Sequence, residues 1–325
     1  MALVAFGAAK GSPGTTTTAL AVAAFWPREV LLVDADPAGG DVGIRMPGTS
    51  GAPLDLDRGL VSLAAAGRKG LTADLLRAHV QQLSGGLDVL VGLRGPEQAA
   101  GLDGFWPALA RVAAALPGAD VLVDVGRLGA DPAVLPLLHS ASLVVLTGTP
   151  GVSQVVHLRE RLASLLPRLA GPGGHRPVVG AVLVTAPRAD RDADAVTELL
   201  SRVPSSPDRI WRLAHDPRGA GVFDGVPVRH PERTDLARSA RALAHELAGL
   251  VVSAAPPVAA AAPPAAAPVP RQQPPDDDVV DGDPTGVLER VAGGAGHGRR
   301  RAVQATGAVQ NADGVDGADP WAGRR

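Results

Sequence analysis

The chain has 325 residues, a formal net charge of −2 and no cysteine. The missing thiols exclude disulfide staples, cysteine-ligated iron–sulfur clusters, Cys₄ zinc sites and a cysteine nucleophile, and the near-neutral balance gives no bulk attraction to nucleic acid or acidic membrane. Apolar residues make up 46% of the chain and aromatic ones only 2%, so the expected core is Ala, Val and Leu, as in helices packed on a parallel sheet.

In chain order, Leu3–Ala8 reads as a buried strand, followed by a Gly-rich turn and a helix from about Thr15 to Phe25. Glu29–Val33 is the second strand and runs into Asp34-Ala35-Asp36. A Gly-rich loop follows from Pro37 to Gly51, then helices at Gly59–Ala66 and Thr72–Leu83. Leu87–Val91 reads as a strand and Gly104–Leu116 as a helix. Val121–Val125, Leu143–Leu146 and Val178–Val184 are short continuous apolar runs, the pattern of strands covered on both faces. Helices at Val152–Leu169 and Asp190–Arg202 separate them. Arg209–Ala214 is the last strand, and Thr234–Val252 is a helix with Leu236, Ala240, Leu243, Leu247 and Leu250 on one face. This alternation predicts an α/β fold, doubly wound, with a mostly parallel sheet and helices on both faces.

Composition breaks near residue 253, so one domain over 1–252 and a disordered tail over 253–325 are expected. The tail is Ala/Pro-rich, then acidic at Asp276-Asp277-Asp278, then Gly-rich with Arg299-Arg300-Arg301. Such a composition buries too little apolar surface to offset its ordering entropy. Trp321 is a candidate docking anchor in it. The N-terminus lacks a signal peptide's charged n-region and cleavage site, and no window reaches the length of a membrane span. A cytoplasmic protein is the expectation, with no direct membrane anchor.

The chemistry-bearing segment is Gly7-Ala-Ala-Lys10-Gly11-Ser12-Pro13-Gly14-Thr15-Thr16-Thr17-Thr18, directly after a strand and before a helix. Backbone N–H groups in such a turn, with the positive end of the helix dipole, cradle phosphate oxygens. Gly11 and Gly14 allow positive φ and close approach to an anion. A hydroxyl in the first helical turn, best placed at Thr16, can ligate Mg²⁺. The threonines also read as ordinary capping residues. Lysine occurs only as Lys10 and Lys69, against an arginine bias that suggests a GC-rich genome.

With Lys10 at its signature lysine, the loop resembles the deviant Walker A motif of the ParA/MinD family, Lys-Gly-Gly-x-Gly-Lys-Ser/Thr. Three further segments match in order. Val33-Asp34-Ala35-Asp36-Pro37 resembles the family's Asp-x-Asp switch, Val121–Asp124 with Gly126 resembles Walker B, and Leu143–Leu146 with Thr147-Gly148-Thr149-Pro150 resembles the next strand and turn. More loosely, His215-Asp216-Pro217-Arg218 and Gly225–Val228 resemble the late loop near the nucleotide base. The resemblance covers about 1–250.

The resemblance implies ATP and Mg²⁺ as cofactors and a nucleotide-dependent homodimer. It implies nucleotide contacts from Gly11, Ser12, Pro13, Gly14, Thr15, Thr16, Thr17 and Pro217. Thr16, Asp34 and Asp124 would serve the metal. Asp36 would help position the attacking water, and Lys10 would reach the partner's nucleotide. The departures are Ser12 in place of a glycine and Thr15 in place of the lysine that grips the β/γ-phosphates. Losing a charged hydrogen bond of about 1.5–3 kcal/mol weakens phosphate binding about ten- to a hundred-fold and puts hydrolysis in doubt.

Two functions follow. One is a ParA/MinD-like switch that positions a cargo (a chromosome region, a septum component, or pilus or secretion machinery) with slow or degenerate ATP hydrolysis, its adaptor met through the tail. The other is a pseudo-ATPase scaffold without turnover, which Thr15, the tail and the CpaE/TadZ-like stretch Leu87–Ala99 favour. A metabolic P-loop enzyme ranks third. Arginines at 159, 161, 168, 202, 209, 212, 218, 238 and 241 are a candidate face for non-specific DNA, although interleaved acids favour an ordinary mixed surface.

Overall fold

A computed structural model describes residues 1–254 except 12, 171–175 and 187–189. The expected tail, with Trp321 and both charge runs, lies outside the described residues, as does Ser12. Eight strands form one sheet: β1 Leu3–Ala8, β2 Val30–Asp34, β3 Gln81–Gln82, β4 Asp88–Leu90, β5 Asp120–Arg127, β6 Leu143–Gly148, β7 Val178–Thr185 and β8 Arg209–Ala214. Their order is β3-β4-β2-β5-β1-β6-β7-β8, and every pairing is parallel except β3 with β4.

The α-helices are α1 Thr15–Ala24, α2 Val42–Arg45, α3 Leu60–Ala66, α4 Ala73–Ala78, α5 Pro96–Ala99, α6 Phe105–Ala114, α7 Leu135–Ser140, α8 Val152–Leu165, α9 Asp190–Ser201, α10 Pro217–Gly221 and α11 Asp235–Ala254. Alternate strand residues face opposite layers. Leu3, Ala5, Leu31, Val33, Val121 and Val123 pack with Leu63 of α3, Trp106 and Leu109 of α6, and Leu158 and Leu162 of α8. Val4, Phe6, Leu32 and Leu122 pack on the other face with Leu20 and Val22 of α1 and with Leu243 and Leu247 of α11. The sheet is thus covered on both faces, as its uninterrupted apolar strands require.

Two expectations need correction. The helix expected over Thr72–Leu83 ends at Ala78, and Gln81–Gln82 instead pairs antiparallel with Asp88–Val89. Gly85 and Gly86, with φ of 90° and 83°, make the hairpin turn that a helix-period reading overlooked. The helix from Val152 changes to a 3₁₀ turn at Leu166–Leu169, where Pro167 lacks the N–H that would continue the α ladder.

At the amino end of β5, the buried Asp120 accepts from the Ala2 amide at 2.8 Å, the Trp26 indole at 2.9 Å and the Arg28 guanidinium at 2.6 Å. It locks β1, β5 and the chain after α1 in register. The chemistry-bearing residues lie at the opposite end. There β1 sits between β5 and β6 while the chain runs outward to β2 and β4 on one side and to β7 and β8 on the other. The crevice outside the carboxyl ends of strands at such a switch point is where doubly wound sheets bind ligands.

Candidate functional site: a glycine loop above three aspartates

The turn from β1 to α1 depends on two glycines in the left-handed region, Gly11 at φ 72° and Gly14 at φ 87°. Gly14 is the N-cap residue of α1. A Cβ at Gly14 would meet no atom within 4 Å, so conformation rather than space demands glycine there. No acidic residue occupies the first turn of α1, and no side chain caps it. Its amino end therefore carries an uncompensated partial positive charge.

Below the loop, parallel pairing sets Asp34 at the end of β2 directly beside Asp124 of β5. Asp124 is fully buried and accepts from the Gly126 amide at 3.0 Å, and the nearby Thr16 hydroxyl favours its charged form. Its Oδ2 has no hydrogen-bond partner. Asp34 is also buried and accepts from the Val42 amide at 3.0 Å. A Cβ at Gly40 would lie 2.3 Å from its carboxylate, and one at Gly92 would lie 2.8 Å away. Asp34 therefore ties the loop before α2 down over the strand ends, and only glycines fit against it. Asp36, half-buried, accepts from the Ala38 amide at 2.8 Å and packs against Gly126, where a Cβ would fall 2.0 Å from its carboxyl carbon.

The electrostatics follow from this packing. Burial first, then the neighbouring Asp124, push the Asp34 carboxyl up to about 8. Burial pushes Asp124 up to about 6, although the Thr16 hydroxyl and the Gly126 amide oppose the rise. Burial also raises Asp36, which the Ala38 amide and the charge of Arg127 counter. Such a cluster resists ionisation unless a cation joins it. Among the described residues no three His, Cys, Asp or Glu side chains form a self-contained metal site. Mg²⁺ does not require one, since it takes one or two carboxylates and completes its shell with water and phosphate. The open Asp124 Oδ2 and the Thr16 hydroxyl fit that need.

The structure thus brings Thr16, Asp34, Asp36 and Asp124 together beneath Gly11 and Gly14. Pro13 is buried within the turn. Thr15 and Thr17 are tied elsewhere. The Thr15 hydroxyl lies 2.5 Å from that of Thr147 on β6, and Thr17 accepts from Arg45 at 3.0 Å. Arg45 also pairs with Asp224 at 2.7 Å, joining α1 to the segment after α10. Lys10 meets His157 of α8 at 3.1 Å, and His157 in turn lies 3.5 Å from Glu160. Pro217 is the first residue of α10, capped by Asp216, and no described contact joins it to the loop.

Thr147, Arg45, His157 and the glycines at 40, 92 and 126 were missed as site residues in the sequence. Thr147 lies in the Thr-Gly-Thr-Pro stretch and Gly126 in the Val121–Gly126 stretch that carried part of the resemblance, so a signal existed for both. Arg45 and His157 act across 28 and 147 residues, and no local pattern marks them. Four of the nine candidate DNA-binding arginines, Arg168, Arg202, Arg212 and Arg238, pair with Asp131, Glu198, Asp194 and Asp235, in keeping with a mixed surface. Among the described residues no helix is long and apolar enough to cross a membrane.

No protein-family model and no curated protein sequence matches the chain. Solved structures do. A ParA family ATPase from Chlorobium tepidum TLS superposes with a TM-score of 0.60 at 19% identity, over 76% of this chain and 98% of that one. The cell division ATPase MinD of Pyrococcus furiosus gives 0.57 at 19% identity, over 77% and 99%. The septum site-determining protein MinD of Pyrococcus horikoshii OT3, complexed with Mg-ADP, gives 0.56 at 19% identity, over 78% and 98%. With this glycine loop and these strand-end aspartates in place, the chain has the ParA/MinD-like P-loop NTPase fold.

Proposed function

We propose that the protein is a ParA/MinD-like switch that binds ATP with Mg²⁺, dimerises when loaded and positions a cellular cargo, with slow or degenerate hydrolysis. The observation that carries this reading is the buried Asp124, its Oδ2 without a hydrogen-bond partner, beside the Thr16 hydroxyl that follows the left-handed Gly14. This arrangement joins the two groups a nucleotide-bound Mg²⁺ needs to the turn that would hold the phosphates. When bound, Mg²⁺ supplies charge neutralisation on the phosphate oxygens. Thr16 and Asp124 would hold it, Asp34 fixes the loop above it, and Asp36 is placed to orient a water. The amides from Gly11 to Thr17 would bind the phosphates, and Pro217 would sit toward the base.

Two features support self-association. Lys10 docks on His157 of α8, so its amine points over that helix as a contact in trans requires. On the same helix Val152 is 84% exposed and Val156 38%, an apolar surface that no described residue covers and that suits a second copy. The cargo would be a chromosome region, a septum component or part of a pilus or secretion machine, reached through an adaptor. The proposed division into a nucleotide-binding domain over 1–252 and a tail over 253–325 gives that adaptor a place to bind.

A second reading, a CpaE/TadZ-like scaffold without turnover, is favoured by the Thr15 hydroxyl, which is spent on Thr147 where a P-loop lysine would face phosphate. Titration of purified protein with Mg-ATP, size measurement with and without it, and a phosphate-release assay separate the readings. Binding and dimerisation with slow release support the switch. Binding with no release supports the scaffold, and absence of binding removes the switch and leaves only a scaffold.

A further inference from the structure

The turn contains no lysine at position 15, yet the end of β5 brings a different cation to its mouth. In the β1–β5 pairing, Phe6 faces Asp124 but Ala8 faces Arg127, so three steps along β5 match two along β1. The extra residue is accommodated at Val125–Gly126, where Gly126 takes φ 60°. Bulges of this kind re-aim the chain beside active sites. The Leu128 amide then bonds the Ala8 carbonyl at 2.9 Å and fixes Arg127 beside the last residue of β1, two positions before Lys10.

Arg127 is exposed, and among the described residues its side chain makes no hydrogen bond or ion pair. Its charge is nonetheless felt at Asp36. Of the other cations, Lys10 is held over α8 by His157, toward the partner in the proposed dimer, and Arg45 is held by Thr17 and Asp224. A guanidinium carries five donors in a planar fork that matches phosphate oxygens.

We propose that Arg127 is the phosphate-gripping cation of this site, placed by the β5 bulge to supply the charge that position 15 lacks. The inference rests on the nucleotide-binding reading and deepens it. The plainer role for Arg127, a charge that merely balances the three aspartates, predicts a different pattern of binding loss.

Titration calorimetry with Mg-ATP, Mg-ADP and AMP distinguishes the two. Arg127→Ala should weaken Mg-ATP about 10- to 100-fold, the loss of one or two charge-assisted hydrogen bonds. Mg-ADP should lose less and AMP nothing, while the melting temperature without nucleotide holds. Arg127→Lys should retain part of the affinity, and adding Thr15→Lys to Arg127→Ala should restore it. Arg127→Ala that binds Mg-ATP like wild type, or that loses all three ligands equally, overturns the assignment. Wild type that binds no Mg-ATP overturns the nucleotide reading beneath it.

Discussion

The Thr15 hydroxyl lies 2.5 Å from the hydroxyl of Thr147, and Thr147 bonds the Gly7 carbonyl at 3.1 Å. A hydroxyl has a single proton to donate. Thr147 gives its proton to Gly7, so Thr15 must give its own to Thr147. Both groups are buried. The chain thereby staples the start of α1 to β1 and β6, and Thr15 has no proton left for a phosphate. Thr15→Val should cost about 1–2 kcal/mol in urea unfolding and leave Mg-ATP affinity within about twofold of wild type. A tenfold loss of affinity would show that Thr15 reaches the nucleotide after all.

Lys10 and His157 carry the next expectation. A lysine side chain loses about 2 kcal/mol of rotamer entropy when it is ordered, and contact with His157 Nε2 at 3.1 Å removes part of that cost before a partner arrives. The ammonium keeps two further donors for phosphate. His157→Ala should therefore weaken nucleotide-dependent dimerisation about 3- to 10-fold, corresponding to one hydrogen bond of roughly 0.5–1.5 kcal/mol. His157→Gln, which keeps an acceptor, should recover most of it, and Lys10→Ala should lose more than either. Sedimentation with Mg-ATP reads all three. Dimerisation of His157→Ala at wild-type strength would remove the histidine from this role.

Legibility in the sequence followed the range of each interaction. The strand–loop–helix at 3–24, the aspartates at 34, 36 and 124 and the two-sided sheet were readable because apolar periodicity and strand-end position are local properties. The β3 hairpin was lost because Gln81 and Gln82 carry no apolar alternation, and only Gly85-Gly86 marked the turn. The enclosure of Asp34 was not readable. It depends on Gly40 and Gly92 meeting one carboxyl from loops more than 50 residues apart. The bulge that places Arg127 depends on the register between β1 and β5, which spans about a third of the chain.

Gly126 tests how tightly that bulge is specified. Its φ of 60° is unfavourable for a residue with a Cβ, and a Cβ there would fall 2.0 Å from the Asp36 carboxyl carbon. Neither group can yield cheaply, since Asp36 is held by the Ala38 amide and the Gly126 amide binds Asp124. Gly126→Ala should destabilise the protein by about 2–4 kcal/mol and weaken Mg-ATP together with it. Gly14→Ala is the contrast, because open space surrounds it. It should cost only the conformational penalty, about 1–2 kcal/mol. Equal losses in chemical denaturation would mean that the contact with Asp36 carries no weight.

The two buried carboxyls of Asp34 and Asp124 predict a stability that declines with pH when no nucleotide is present. Both native values lie above the ordinary 3.8, at about 8 and about 6, chiefly because of burial. As pH rises from about 4, the unfolded chain releases these protons while the native state keeps them. The unfolded state then binds fewer protons, and unfolding becomes easier. The decline from Asp124 should be complete just above pH 6, and that from Asp34 only near pH 8. Asp34→Asn removes the larger contribution. It should flatten the decline and stabilise the nucleotide-free protein at pH 8 by on the order of 1–3 kcal/mol, while Val42 keeps a carbonyl acceptor. Mg²⁺ with nucleotide should raise the wild-type melting temperature more at pH 8 than at pH 5, since ionised carboxylates gain most from a cation. Melting curves that run parallel for wild type and Asp34→Asn across this range would show that the cluster does not set the pH dependence.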